Sequence, residues 1–242
     1  MAKTDRLRAL ADALAKHNVM HLRDAASALG VSEMTVRRDI AANPERFTYL
    51  GGYIVSAQDV PNTAGYSLEH EKDHFAQAKA QASAHAARLI AQNDTVFIDC
   101  GTTLAALARL IPSQLQITAV CYSLNVAEIL RRMPNVRMIL LGGVYVPSSD
   151  SFAGEESLET LRRMGINKAF ISAGGVDAAH GVTCWNFHEV ALKQAAMASA
   201  VESHLVVDAS KYGIVKAWRF SQVDDFNSII TEKGQTLRER SA

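Results

Sequence analysis

Cysteine is scarce in this 242-residue chain. Its three cysteines, Cys100, Cys121 and Cys184, are odd in number, widely spaced and never in a C-x-x-C arrangement. That excludes a disulfide framework and a cysteine-built zinc site, and it fits a reducing compartment. Cys100 and Cys121 close apolar runs, where free thiols pack as small hydrophobes. Long hydrophobic runs are missing as well: none approaches the ~20 residues that span a bilayer, and the N-terminus has no apolar signal segment. The expectation is a soluble, cytoplasmic protein without a membrane partner. Excess charge of one sign is also absent. The 25 basic and 25 acidic residues cancel, so the chain is not a uniformly basic nucleic-acid binder.

What is present is a core-forming composition, 48% hydrophobic and 21% charged, over a length that suits one large domain or a small and a medium one. The charge is slightly uneven. Residues 1–56 carry 8 basic and 6 acidic side chains, and the remainder is correspondingly acidic. The lean is toward DNA at the N-terminus, with few phosphate contacts per subunit, so binding as a homo-oligomer would help.

The segment 22–40, L-R-D-A-A-S-A-L-G-V-S-E-M-T-V-R-R-D-I, has helix-turn-helix spacing. Ala26 is small where two helices would cross, and Leu29, Val31 and Val36 are apolar pins between them. Gly30 sits at the turn, where a left-handed backbone is needed, and Ser32 offers an N-cap hydroxyl to the second helix. That helix carries Thr35, Arg37 and Arg38, side chains of the type that reach bases and phosphates. A plain helical hairpin has the same small-Gly-apolar spacing; the Arg-Arg pair tips the reading to DNA. Leu7, Leu10, Ala11 and Leu14 give a preceding helix. After Pro44, F-T-Y-L-G-G-Y-I-V reads as a hairpin turning at Gly51-Gly52, which completes a winged helix-turn-helix. The wing offers Tyr49 and Tyr53, with Arg46 nearby, and Leu50 stands before the Gly-Gly. Residues 57–66 read as a linker, which divides the chain into a DNA-binding domain over 1–56 and a second domain over 67–242.

The second domain opens with an Ala-, Glu-, Lys- and Gln-rich stretch, 67–92, expected as one long helix. His70 and His74 stand one turn apart on it, but without a third ligand they read as surface histidines, and no metal is expected. Apolar, β-branched runs then recur at 95–98, 117–120, 136–141, 168–171 and 204–207, with a sixth at 228–231. Helix-like stretches at 104–110, 124–132, 158–164 and 188–203 separate them. This alternation implies a parallel α/β sheet covered on both faces.

Ligands of such sheets bind beyond the carboxyl ends of the strands. There the sequence offers Asp99, Gly101, Thr102 and Thr103, then Ser123 and Asn125, then Gly142 and Gly143, then Gly174 and Gly175, then Asp208 and Lys211. Each group alone is ordinary turn composition. Five at one edge describe a pocket for a small anionic polyol. A helix N-terminus with Thr102 and Thr103 would hold a phosphate, Asp99, Asn125 and Asp208 would share hydroxyls, and Lys211 would neutralise charge. Glu189 and Lys193 are spaced as a surface ion pair or as a pair reaching the sugar or a subunit neighbour, and Trp185 and Phe187 read as core aromatics or as a lid over the ligand.

Both halves resemble the DeoR family of bacterial repressors. The family's recognition block matches Ser32, Thr35, Val36, Arg37, Arg38, Asp39 and Ile40; its D-x-G-T-T matches 99–103, its S-L-N matches 123–125, its Gly-Gly matches 142–143 and its S-K-aromatic matches 210–212. The resemblance implies a winged helix-turn-helix followed by a ribose-phosphate-isomerase-like sensor domain, with double-stranded operator DNA and a phosphosugar as partners and no cofactor. The stretches H-L-R-D-A-A-S-A-L-G-V-S-E-M-T-V-R-R-D, T-A-V-C-Y-S-L-N and T-C-W-N tie it to members controlling deoxyribonucleoside catabolism, which implies deoxyribose 5-phosphate as inducer. The alternative is a sugar-phosphate isomerase with an appended DNA-binding domain. The isomerase relatives carry an acidic Asp-Gly-Ala-Asp loop where this chain has Ser172-Ala173-Gly174-Gly175, without a carboxylate before Asp177. No catalytic residue is therefore expected.

Overall fold

The computed structural model describes residues 3–17, 19–50, 53–56 and 75–237. Contacts divide the chain into two compact units, Met1–Thr63 and Ala64–Ala242. The linker expected over 57–66 lies outside the described residues.

In the first unit, α1 (Lys3–His17), α2 (Leu22–Leu29) and α3 (Glu33–Ala41) are followed by β2 (Phe47–Leu50) and β3 (Tyr53–Ser56). Leu7, Leu10 and Leu14 recur at helical spacing and reach one core with Leu22, Ala25, Val36, Ile40, Phe47 and Ile54. Gly30 takes φ +63 and its N–H closes α2 on Ala26 and Ser27, the left-handed cap expected of it. A short strand absent from the sequence reading, β1 (Val19–His21), pairs antiparallel with β3 through Met20 and Ile54, giving the sheet order β1-β3-β2. Three residues between two helices are too few to show alternation. The turn at Gly51-Gly52 lies outside the described residues.

The second unit is built on a seven-stranded sheet of order β15-β14-β12-β9-β4-β5-β6. Its strands are β4 (Thr95–Ile98), β5 (Ile117–Cys121), β6 (Val136–Leu140), β9 (Ile166–Ile171), β12 (Ala200–Val206), β14 (Ser228–Thr231) and β15 (Gly234–Leu237). All pair in parallel except β15, which returns antiparallel on β14. Alternate residues of β4 point to opposite faces. Val96 and Ile98 join a core with α4 (Ala76–Ala87), α5 (Thr102–Arg109) and α6 (Leu124–Leu130), while Phe97 joins the other with α7 (Glu155–Arg162) and α8 (Phe187–Ser199). Cys100, Cys121 and Cys184 are buried free thiols.

The chain runs β4, β5, β6 outward on one side, then crosses to place β9 on the far side of β4. The crevice between β4 and β9 is thus a topological switch point, where such sheets open to ligands. Two additions border this end of the sheet and left no periodic signal: the hairpin β7 (Val144–Val146) with β8 (Ser151–Ala153), and the antiparallel sheet β10 (Gly175–Asp177), β11 (Gly181–Cys184) and β13 (Trp218–Ser221). Strands of three or four residues are too short for alternation to be read.

Two helix expectations need correction. Phe75 has a left-handed φ of +56, which breaks the run expected over 67–92; the described helix spans Ala76–Ala87, and His70 and His74 lie outside the described residues. The helix expected over 188–203 ends at Ser199, because Ala200 already pairs with Ile166 as the first residue of β12. Among the described residues no helix is long and apolar enough to cross a membrane.

Candidate functional site

The N-terminal unit presents α3. Ser32 Oγ accepts from the Thr35 amide at 3.2 Å and lies 2.9 Å from Thr35 Oγ1, so the expected cap is in place. Val36, Asp39 and Ile40 bury one face of the helix. Asp39 binds Arg6 of α1 at 2.7 Å, an ion pair that fixes the orientation of α3. Arg37 and Arg38 are exposed on the opposite side. The Arg37 guanidinium lies 4.4 Å over the Tyr49 ring, so this wing residue serves as a platform for an arginine. The side chain of Tyr53 lies outside the described residues.

In the second unit a cleft opens at the β4/β9 switch point. Gly101, Thr102, Thr103, Gly174 and Lys211 line it, as the sequence led one to expect, and Lys79, Ser172, Trp185, Glu189 and Lys193 join them. Gly101 has φ +99 and is the N-cap of α5; it has no side chain to cap the helix, whose N-terminus opens at the cleft. The Lys216 ammonium sits 3.9 Å over the Trp185 ring, so Trp185 is a wall of the cleft rather than a core aromatic. Phe187 does pack, edge-on to Trp218 at 4.9 Å.

Beneath the cleft lies a fully buried charge cluster. Asp99 is 0% exposed. Its Oδ1 accepts from the Tyr122 hydroxyl at 2.6 Å, and its Oδ2 accepts from the Ser172 amide and Oγ, each at 2.8 Å, and from Lys193 Nζ. Lys193 also donates to Ser172 O at 3.1 Å and pairs with Glu189 at 3.4 Å. Glu189 in turn accepts from Asn186 Nδ2 at 2.6 Å. The expected ion pair is thus formed, but it is buried rather than at the surface: Lys193 is 0% exposed and Glu189 only 6%. Burial alone would lower the Lys193 pKa, but the attraction of Asp99, then of Cys100 and Glu189, outweighs it and holds the ammonium well above its ordinary value. Burial, reinforced by Asp99, pushes the Tyr122 hydroxyl well up, so it remains a proton donor to the carboxylate.

Several of the residues expected at a ligand are held by, or buried against, the protein itself. Asp99 is fully buried and accepts four hydrogen bonds from Tyr122, Ser172 and Lys193, so it anchors the floor of the cleft. Asp208 uses one oxygen to cap the turn 209–211 that carries Lys211. Gly142 and Gly143 stand away from the cleft; at Gly143, φ +138, a Cβ would fall 2.3 Å from Ala153 O, so glycine is needed for hairpin packing. Gly175 is buried, and a Cβ there would meet Ile214 O at 2.2 Å. Ser123 is fully buried, and its Oγ has no hydrogen-bond partner. Asn125 donates to Gly101 O at 3.3 Å and borders a broader groove between α4, α5 and α6, which shares Lys79 and Thr102 with the cleft. Asp177, the nearest carboxylate after the fourth parallel strand, is held in the β10–β11 turn by the amides of Ala179 and His180. Among the described residues no group of histidine, cysteine and carboxylate side chains could hold a metal.

A winged helix-turn-helix and a parallel α/β domain with a small polar cleft at its switch point define a DNA-binding regulator with a sensor domain. The comparisons with known proteins agree. The chain belongs to the DeoR family: residues 6–56 match the DeoR-like helix-turn-helix domain, and residues 74–233 match the DeoR C terminal sensor domain. It is 37% identical over 231 residues to the deoxyribose operon repressor of Escherichia coli (strain K12), covering 95% of this chain and 90% of that protein. In fold it is similar to eIF2B beta from Chaetomium thermophilum, with a TM-score of 0.51 and 18% identity over 69% of this chain and 52% of that one. Ribose 5 phosphate isomerase A from Neisseria gonorrhoeae aligns with a TM-score of 0.41 and 18% identity, covering 57% of this chain and 53% of that chain.

Proposed function

We propose that this chain is a cytoplasmic transcriptional repressor of a deoxyribonucleoside or sugar catabolic operon, and that deoxyribose 5-phosphate releases it from operator DNA. Residues 1–56 are the DNA-binding domain, 57–66 the linker and 67–242 the sensor. Arg37 and Arg38 contact DNA, with Ser32, Thr35 and Tyr53 as supporting contacts. The chain acts as a homo-oligomer, because paired half-sites about one DNA turn, ~34–36 Å, apart call for paired recognition helices.

One observation carries the sensor reading: the cleft joins the N-terminus of α5, with Gly101, Thr102 and Thr103, to Lys79 and Lys211 from two other elements. Convergent cations and helix amides suit a phosphate. The likeness to a deoxyribose operon repressor supports deoxyribose 5-phosphate over other phosphosugars. An isomerase would need a free general base at the cleft. Glu189, the carboxylate lining the cleft, is held by Asn186 and Lys193.

A thermal-shift screen tests the reading. A ligand at 100 times its Kd stabilises the state it binds by ~2.7 kcal/mol. Deoxyribose 5-phosphate should raise the melting temperature where free deoxyribose does not. No shift with any phosphosugar would remove the proposed sensor.

A further inference from the structure

The core does not account for one side chain of α3. Met34 is 70% exposed, although Val36, Asp39 and Ile40 bury the other face of the same helix. It precedes Arg37 by three residues and Arg38 by four, so the three side chains share one face. Its neighbour Thr35 is turned to the Ser32 cap at 2.9 Å, and Arg37 is held over Tyr49. The first turns of α3 therefore display two guanidinium groups and a single flexible apolar arm. Guanidinium groups select guanine edges and phosphates. A thioether offers no donor and no charge, and the apolar feature that a major groove presents is the 5-methyl group of thymine.

We propose that Met34 is a specificity-determining residue that reads thymine through its 5-methyl group. The inference rests on the DNA-binding reading above and adds a base contact to it. Burying one methyl against Met34 is worth about a fourfold change in affinity per half-site.

The test uses full-length protein and duplexes that the wild type enriches from a random pool. Each thymine of an enriched duplex is replaced singly by deoxyuridine, which removes the methyl and leaves pairing intact. The expected result is a thymine in each half-site whose replacement weakens the wild type about fourfold. Met34→Ala, which loses the contact in both half-sites, should bind the thymine duplex about sixteenfold more weakly and be indifferent to the replacement. Because Met34 is exposed, the variant should melt with the wild type. Equal deoxyuridine penalties for wild type and Met34→Ala, or no sensitive thymine in an enriched duplex, would overturn the proposal and leave the DNA-binding reading standing. Failure of the wild type to enrich any duplex would overturn both.

Discussion

Replacing Lys193 by methionine should unsettle the sensor domain more than any surface lysine could. Methionine keeps the unbranched length but removes the ammonium. Asp99 then retains only the Tyr122 and Ser172 donors, and Glu189 only Asn186, with both carboxylates still buried. Removing one partner of a buried pair costs about 3–5 kcal/mol. For a domain of this size each kcal/mol moves the midpoint by about 2–4 °C, so the transition should fall by roughly 6–20 °C. The Lys193 pKa is raised above the ordinary 10.5, so its contribution is complete below that value and is lost only as pH rises through the folded-state value. The neutral-pH melt therefore reads the whole effect. Adding Asp99→Asn to Lys193→Met removes one stranded charge, and the double variant should melt higher than the sum of the two single changes allows. Circular dichroism melts of the four proteins make the measurement. A Lys193→Met midpoint within about 2 °C of the wild type would refute the idea that the buried pair sustains the cleft floor.

Further consequences can be checked in the same way. His188 is buried against Ser149 and Ser151, and burial, only partly opposed by Glu189, lowers its pKa below the ordinary 6.5. Its depressed value makes the neutral form part of the folded state, so stability should fall as pH drops below about 6.5 toward the folded-state value. His188→Gln should flatten that slope in pH-dependent melts. Gly175→Ala drives a Cβ toward the Ile214 carbonyl and should cost about 1–3 kcal/mol in denaturant unfolding. Tyr49→Ala removes the platform beneath Arg37 and should weaken DNA binding at unchanged helix content, while Tyr49→Phe should retain it.

Much of this architecture can be read locally. Gly30 and Ser32 signal the turn and the cap by chemistry confined to a few residues, and the structure realises both. The parallel strands show as β-branched runs because they are buried on both faces, and the β4 range 95–98 is recovered directly. The start of α4 is a different case, since the composition is helical before and after Phe75 and gives no sign of the left-handed backbone there. Lys79 was not legible as a site residue, and for Lys193 a surface ion pair and a reach toward the sugar could not be told apart, because a lysine in a helix reads as solvated until its partner is known. The partner of Lys193, Asp99, lies 94 residues away in sequence. Separation in sequence also hides the support of Asp99, whose donors come from Tyr122 just after β5, Ser172 just after β9 and Lys193 on α8.

The most direct test of the account is a titration of the repressor–DNA complex with deoxyribose 5-phosphate, followed by fluorescence anisotropy of an enriched duplex. An inducer must bind the DNA-free arrangement better than the bound one, or it shifts nothing. The account predicts saturable release by deoxyribose 5-phosphate, no release by free deoxyribose, and loss of the response in Lys211→Ala with DNA affinity retained. Anisotropy that stays constant across the titration, or that rises, would contradict it.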